Sequence, residues 1–414
     1  GVDCAADGSN IESAIEWVSM GVCDADTLTW VKGYTGIFDG NGHHLSNVFM
    51  GKNENYHAFI GMLGNVTDSG TVKDLGIKSG KISAKHHAAG IAVIVAGESQ
   101  VRRCWNGAEI ITESDLGGGI AAEATAIGGR TSKYNPVIEG CYNLGKVSGS
   151  VGTRTAGIVA HISGNGGVAG DGARIRNCYN LGAVTGVEGC GGIYAVLASN
   201  ATKDLIENCY NGGTCTVSSS AGKSYAIGNM ANPDFYVNCY YDRQKSGYGI
   251  GTSTADVPKV VRGLTEAQIK SWGMAWALNG YGLESTGATG VTDITDTTDS
   301  SFTGALGEYP TLCWSGDDDF EDRKLKASTW LDIGYGVENQ LIGDRDTGQL
   351  IPVPSGDGTT TSPCQLANAE QLSWFAYKVS EGFPAYCGTM TADMDMFGTK
   401  YTGISYDSSK NNME

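Results

Sequence analysis

Short apolar stretches alternate with glycine- and asparagine-rich turns through much of the chain, and the apolar landmarks recur at a long period, not at helical spacing. Gly-Ile or a close variant falls at Ile60, Ile91, Ile120, Ile158, Ile193 and Ile227. A second landmark follows each one, at Leu75, Cys104, Cys141, Cys178, Cys209 and Cys239. The four central examples read Cys104-Trp105-Asn106-Gly107, Cys141-Tyr142-Asn143-Leu144, Cys178-Tyr179-Asn180-Leu181 and Cys209-Tyr210-Asn211-Gly212. Recurrence at 29 to 38 residues is the signature of a repeat architecture. β-rich stretches bounded by Gly and Asn predict strands joined by tight turns.

A unit of this size cannot close a core alone, whereas stacked units bury a continuous one, with like residues ~4.8 Å apart. Six such units and the opening turn Thr35–His43 predict an all-β, right-handed parallel β-helix (solenoid) of about seven coils with short flanking cap helices. The expected division is an N-terminal cap over 1–34, repeats over 35–242, a flanking segment over 243–315 with one helix that closes the module, a loop or linker over 316–362, and a partial second module or end-joining segment over 363–414. Cap helices are expected around Ile11, Ala14, Ile15 and Val18, after the capping box Thr265-Glu266-Ala267-Gln268, and after Asn368 with Leu372, Phe375, Ala376 and Val379 on one side. Spacing from each second landmark to the next Ile is nearly constant at 15 to 18 residues, while the other half varies from 12 to 21. Insertions therefore collect on one edge, longest over Ala121–Glu139 and Val159–Arg176, where they suit either a binding face or idle loops.

Stacking turns recurring residues into columns. Cys104, Cys141, Cys178, Cys209 and Cys239 are expected as a buried ladder of free thiols, because a metal needs ligands that converge on one point. Cys215 falls in the slot that holds Ile110, Val147 and Val184, as a small apolar residue. Asn106, Asn143, Asn180 and Asn211 suit an internal amide stack at a turn, where Asn also tolerates left-handed angles. Trp105, Tyr142, Tyr179, Tyr210 and Tyr240 form an aromatic column, read as packing or as a platform for a sugar chain. Arg102, Glu139, Arg176 and Glu207 alternate in sign and predict an ion-pair column. Cys4, Cys23, Cys364 and Cys387 are disulfide candidates, since Cys4–Cys23 and Cys364–Cys387 would each bracket a cap helix.

The sequence carries 28 Lys and Arg against 45 Asp and Glu, a net charge of −17, which repels phosphate backbones and anionic membranes. No apolar run approaches the ~20 residues that span a bilayer. The start, Gly1-Val2-Asp3-Cys4, reads as that of a mature or excised fragment. There is no His-Glu-x-x-His, no Gly-x-Ser-x-Gly and no phosphate loop. Asp317, Asp318 and Asp319 are the weak candidates for calcium, without the spaced ligands of an EF-hand; no other cofactor is expected. An enzyme would need two convergent carboxylates in a groove, sought among Glu98, Glu123, Asp171 and Asp204.

Phe38-Asp39-Gly40-Asn41-Gly42-His43, Gly70–Ile77 and Ile206–Asn211 resemble the GLUG-motif repeats of bacterial surface proteins, over roughly residues 30–242. Tyr309-Pro310-Thr311-Leu312-Cys313-Trp314 looks like the end of such a module, and Thr389–Met396 resembles the first strand of family members. The resemblance implies an extracellular, bacterial cell-surface location and a structural or adhesive role. A carbohydrate-active β-helix enzyme and a glycan-binding module are the alternatives. Expected partners are other copies of the chain, other surface proteins, or host or environmental glycans. The C-terminal segment of one copy completing the first coil of the next would give head-to-tail filaments; folding back on its own chain, or excision from a longer array, are the other readings.

Overall fold

A computed structural model describes residues 17, 19–21, 33–51, 55–65, 68–125, 136–163, 173–197, 206–246, 248–251, 261–270, 278, 302–303, 309–312, 354–380 and 385–395. The described chain is dominated by β-strands in parallel sheets, stacked as in a β-helix. Successive repeats place equivalent strands side by side. One nine-stranded sheet contains Thr71–Lys73, Gln100–Arg102, Val137–Glu139, Arg174–Arg176 and Ile206–Glu207 in sequence order. A second sheet runs through Gly76–Ile77, Trp105–Asn106, Tyr142–Asn143, Tyr179–Asn180, Tyr210–Asn211 and Cys239–Asp242. Ten- and five-stranded sheets complete each repeat. The register is strict: Trp105 pairs with Tyr142, Tyr142 with Tyr179 and Tyr179 with Tyr210.

The core is a continuous file of Ile, Val, Ala and Cys. Val72, Val101, Ile138, Ile175 and Ile206 are inward-facing partners in adjacent strands, all buried. Cys215 takes the place of Ile110, Val147 and Val184 in the neighbouring repeats. At ~25 cal/mol per Å², such apolar files are the main favourable contribution to stability.

The corner before each second landmark needs left-handed backbone. Asp74, Arg103, Asn177, Asn208 and Asn238 have φ between 49° and 53°, and Gly140 has φ 62°. The left-handed tolerance expected of Asn106, Asn143, Asn180 and Asn211 thus belongs one turn earlier. Those asparagines lie in strands and use their amides instead.

The Gly-Ile glycine is fixed by close approach. A Cβ on Gly157 would lie 2.3 Å from Asn180 Cγ and 2.3 Å from the Gly192 carbonyl. Gly119 and Gly192 approach Asn143 and Asn211 in the same way. The two recurring sequence landmarks are therefore one packing contact.

The two ends differ from the middle. Near the last repeats, the segment 309–312 lies over the aromatic column, with Tyr309 stacked on Tyr210 at 6.4 Å. Tyr309 Oη receives a hydrogen bond from Lys245 Nζ (2.6 Å) and donates to Glu266 Oε1 (3.2 Å) or to the buried Asp242 (3.4 Å). The helix expected after Thr265 is described as the single turn Glu266–Ile269. At the other end the C-terminal segment folds back. Gly388–Met390 pairs with Ile37–Asp39, Cys364–Leu366 pairs with Gly388–Met390, and Met394–Asp395 pairs with His44–Ser46, all parallel. The Ala369–Ser380 helix between them sends Phe375 against Tyr34 and Phe38. The expected N-terminal helix around Ile11–Val18 and most of the expected linker lie outside the described residues.

Candidate functional site

The recurring Cys-Tyr-Asn residues face the neighbouring repeats. Asn106 Nδ2 donates to Asn143 Oδ1 (2.9 Å), Asn143 to Asn180 (2.8 Å) and Asn180 to Asn211 (2.8 Å). The second proton of each amide goes to the carbonyl two residues on, at Ala108, Gly145, Gly182 and Gly213. All four side chains are fully buried. A buried amide is tolerated only when its groups are paired, and here they are.

The ladder thiols are all buried and free. Cys104, Cys178 and Cys209 contact the carbonyls of Arg102 (3.3 Å), Arg176 (3.2 Å) and Glu207 (3.2 Å). Burial pushes the Cys104, Cys178 and Cys239 thiols up, so they are protonated and unreactive. The outer flank carries ion pairs from Glu139 to Arg102 (3.7 Å) and to Arg176 (2.9 Å), with Glu207 next in register.

Of the two readings of the aromatic column the structure shows packing, and the expected Cys364–Cys387 bridge is not formed. The aromatic column cannot receive a sugar chain in this arrangement. Trp105, Tyr142, Tyr179 and Tyr210 stack face to face at 4.9 to 5.6 Å, are at most 6% exposed with Tyr240, and are packed against Leu181, Leu264, Ile269, Tyr309 and Leu312. Cys364 and Cys387 are free. Parallel pairing sets Cys364 opposite Gly388, and Cys387 Sγ accepts the Ile37 amide (3.3 Å) across the next strand. Cys4, Cys23, Asp317, Asp318 and Asp319 lie outside the described residues.

Polar chemistry gathers instead on the outer face, where the ten-stranded sheet bends into the five-stranded one. The strand Glu109–Gly118 is interrupted between Ser114 and Leu116, and Asp115 there has φ 72°. This irregularity brings Asp115 Oδ2 to His87 Nε2 (3.0 Å) and Ser114 Oγ to His86 Nδ1 (3.0 Å). The His87 hydrogen bond outweighs partial burial and holds the Asp115 carboxyl below its usual range. Across the bend, Glu123 and His161 are register partners, 3.7 Å apart, and Ser163 Oγ donates to Glu123 (2.7 Å). Burial pushes the His161 imidazole down despite Glu123, so it is neutral near pH 7. Arg154, one repeat beyond Leu116, pairs with Glu188 (2.9 Å).

This arrangement offers carboxylates, a neutral imidazole and hydroxyls to a polar ligand. Of the four carboxylates considered from sequence, it includes Glu123. Glu98 is an exposed turn residue, and Asp171 and Asp204 lie outside the described residues. His161, Asp115 and Arg154 carry no local signal, since only the register of three repeats brings them together. Among the described residues no group of three His, Cys, Asp or Glu side chains is placed to hold a metal ion, and no helix is long and apolar enough to cross a membrane.

No protein-family model matches the chain, and no curated protein matches it in sequence. Among solved structures, the 1.30 Å crystal structure of a Bacteroides ovatus protein, provisionally named an immunoglobulin A1 protease, is similar over 67% of this chain and 77% of its own. The two are 19% identical, with a TM-score of 0.47, a likeness too distant to carry a functional argument.

Proposed function

We propose that the chain is a non-enzymatic, extracellular structural or adhesive module of a bacterial surface protein. In this reading it is a right-handed parallel β-helix of about seven coils with closed ends, built from GLUG-type repeats. One observation carries it. The residues that recur in the four central repeats (Cys, aromatic and Asn) are spent on contacts between repeats, as expected where the repeat is selected to stack. The resemblance of residues 30–242 to exported surface repeats supports the location, and the acidic surface fits a role away from nucleic acid and membrane.

The test is display of the chain on a non-adherent bacterium. Attachment to host cells or glycan-coated surfaces is expected above the empty-display control, with no product released from a panel of polysaccharides.

The runner-up reading, a carbohydrate-active protein, is favoured by the Glu123, His161, Asp115 and His87 cluster alone. Release of sugar product that is abolished by Glu123→Gln would establish it in place of the structural reading.

A further inference from the structure

The segment that occupies the rung before Ile37–Asp39 comes last in the chain. Its described strands Cys364–Leu366 and Gly388–Met390 extend one nine-stranded sheet and Met394–Asp395 extends the other, and with the Ala369–Ser380 helix they lie on the N-terminal end. The contacts are specific. Tyr34 Oη donates to the Tyr386 carbonyl (2.5 Å), and Asp393 accepts from the His44 amide (2.8 Å) and lies 3.1 Å from His43 Nδ1 and 3.2 Å from His44 Nδ1. Phe375 fills the space above Phe38 and Tyr34. An open parallel edge with its apolar core exposed is thus covered by strand addition.

The path into this segment starts at the wrong end. Leu312 packs with the aromatic column, where Tyr210 donates to the neighbouring Pro310 carbonyl. Counted along the second nine-stranded sheet, six strand spacings separate Tyr210–Asn211 from Met394–Asp395, or ~29 Å at ~4.8 Å each. In the opposite direction only Cys239–Asp242 and Val261–Leu264 remain before that end of the sheet. If a second copy stacked there coaxially, its first coil would be three spacings away, or ~14 Å. Residues 313–353 could span either distance, since ~3.3 Å per residue gives well over 100 Å.

We infer that the C-terminal segment is an exchangeable coil: it closes its own N-terminal end in dilute chain and completes the N-terminal end of a second copy when chains are crowded. The same surfaces are buried in both cases, so the balance is set by concentration. Exchange around a closed pair gives a dimer; exchange in one direction gives a head-to-tail filament. This adds a second copy as partner to the reading above. It rests on the segment's placement, so it can fail while an adhesive role stands.

Asp39 and Thr389 are register partners on adjacent parallel strands, close enough for a disulfide when both are cysteine. The single variants Asp39→Cys and Thr389→Cys are unfolded together, refolded at roughly millimolar chain, near the effective concentration of a tethered module, and oxidised. A covalent heterodimer at twice the chain mass is expected, together with multimer ladders from the Asp39→Cys/Thr389→Cys double variant. The same double variant at low concentration should close within single chains. Because Asp39 also pairs with Lys73 (2.7 Å), light scattering of the unaltered chain provides a second readout, with molar mass rising in whole multiples on concentration. A double variant that closes only within single chains, with no heterodimer and a monomeric mass throughout, overturns the inference. So does a double variant that forms no disulfide at all.

Discussion

Replacing Asn143 by Asp changes one amide nitrogen to oxygen and leaves the volume of the side chain unchanged. Asn143 Nδ2 lies 2.8 Å from both the Gly145 carbonyl and Asn180 Oδ1, and its side chain is fully buried. In the variant an oxygen faces two acceptors. Each lost hydrogen bond costs about 0.5–1.5 kcal/mol, and a buried acceptor left unpaired costs about 1–3 kcal/mol. With two such contacts inverted, the loss should reach about 3–5 kcal/mol at pH 7. The loss should also depend on pH. Burial opposes ionisation of the new carboxyl, and protonation restores one donor, so its folded-state pKa lies above the ordinary ~3.9. A raised folded pKa means that the penalty is smallest below ~3.9 and grows with pH up to the folded value, by about 1.4 kcal/mol per pH unit. Urea unfolding of both chains at pH 4 and pH 7 measures this through the midpoint at constant slope. A loss under 1 kcal/mol, or one equal at both pH values, would refute the amide ladder.

Three further outcomes follow from the same contacts. Glu139→Arg places three positive charges in register with Arg102 and Arg176; since these side chains are partly exposed, about 1 kcal/mol or less should be lost at low salt, and the loss should shrink in high salt. Alkylation in denaturant without reductant, followed by mass spectrometry, should label Cys364, Cys387, the five ladder cysteines, Cys215 and the buried Cys190; a bridge between any two contradicts the arrangement. At Asp393, burial opposes the charge, but the His43 hydrogen bond and the His44 amide outweigh it and hold the carboxyl below its usual range. A depressed folded pKa stabilises above the unfolded value of ~3.9 and is lost as pH falls through the folded one. Intrinsic-rate-corrected hydrogen exchange in Gly388–Met390 should accelerate below about pH 4, and Asp393→Asn should remove that pH dependence.

The stacked interior was legible in the sequence because parallel stacking turns periodicity along the chain into proximity. Ile110, Val147, Val184 and Cys215 could be aligned by spacing alone, and they occupy adjacent register positions. What lies over the stack was not legible. Nothing near Tyr210 in sequence announces Tyr309, yet that ring and its Lys245 contact turn an apparent sugar platform into a covered seam. The outer polar cluster was hidden for a related reason. Asp115 reaches His87 only through a local register irregularity, and Glu123 meets His161 across an insertion. Gly157 illustrates a third case: the recurring Gly-Ile landmark was visible, but its cause, the Asn180 amide pressed against it, lies in the next repeat and not in the local sequence.

The buried columns and the outer polar cluster all require the repeats to lie in parallel register. Thr185 and Thr216 are partners in neighbouring repeats, with their hydroxyls 3.2 Å apart on the exposed face. The double variant Thr185→Cys/Thr216→Cys should form a disulfide rapidly under mild oxidation. Thr185→Cys/Ser218→Cys, displaced two residues along the neighbouring strand to ~7–8 Å, should not. Equal oxidation of the two pairs, or rapid closure of the displaced pair alone, would contradict the stacking on which the proposed function rests.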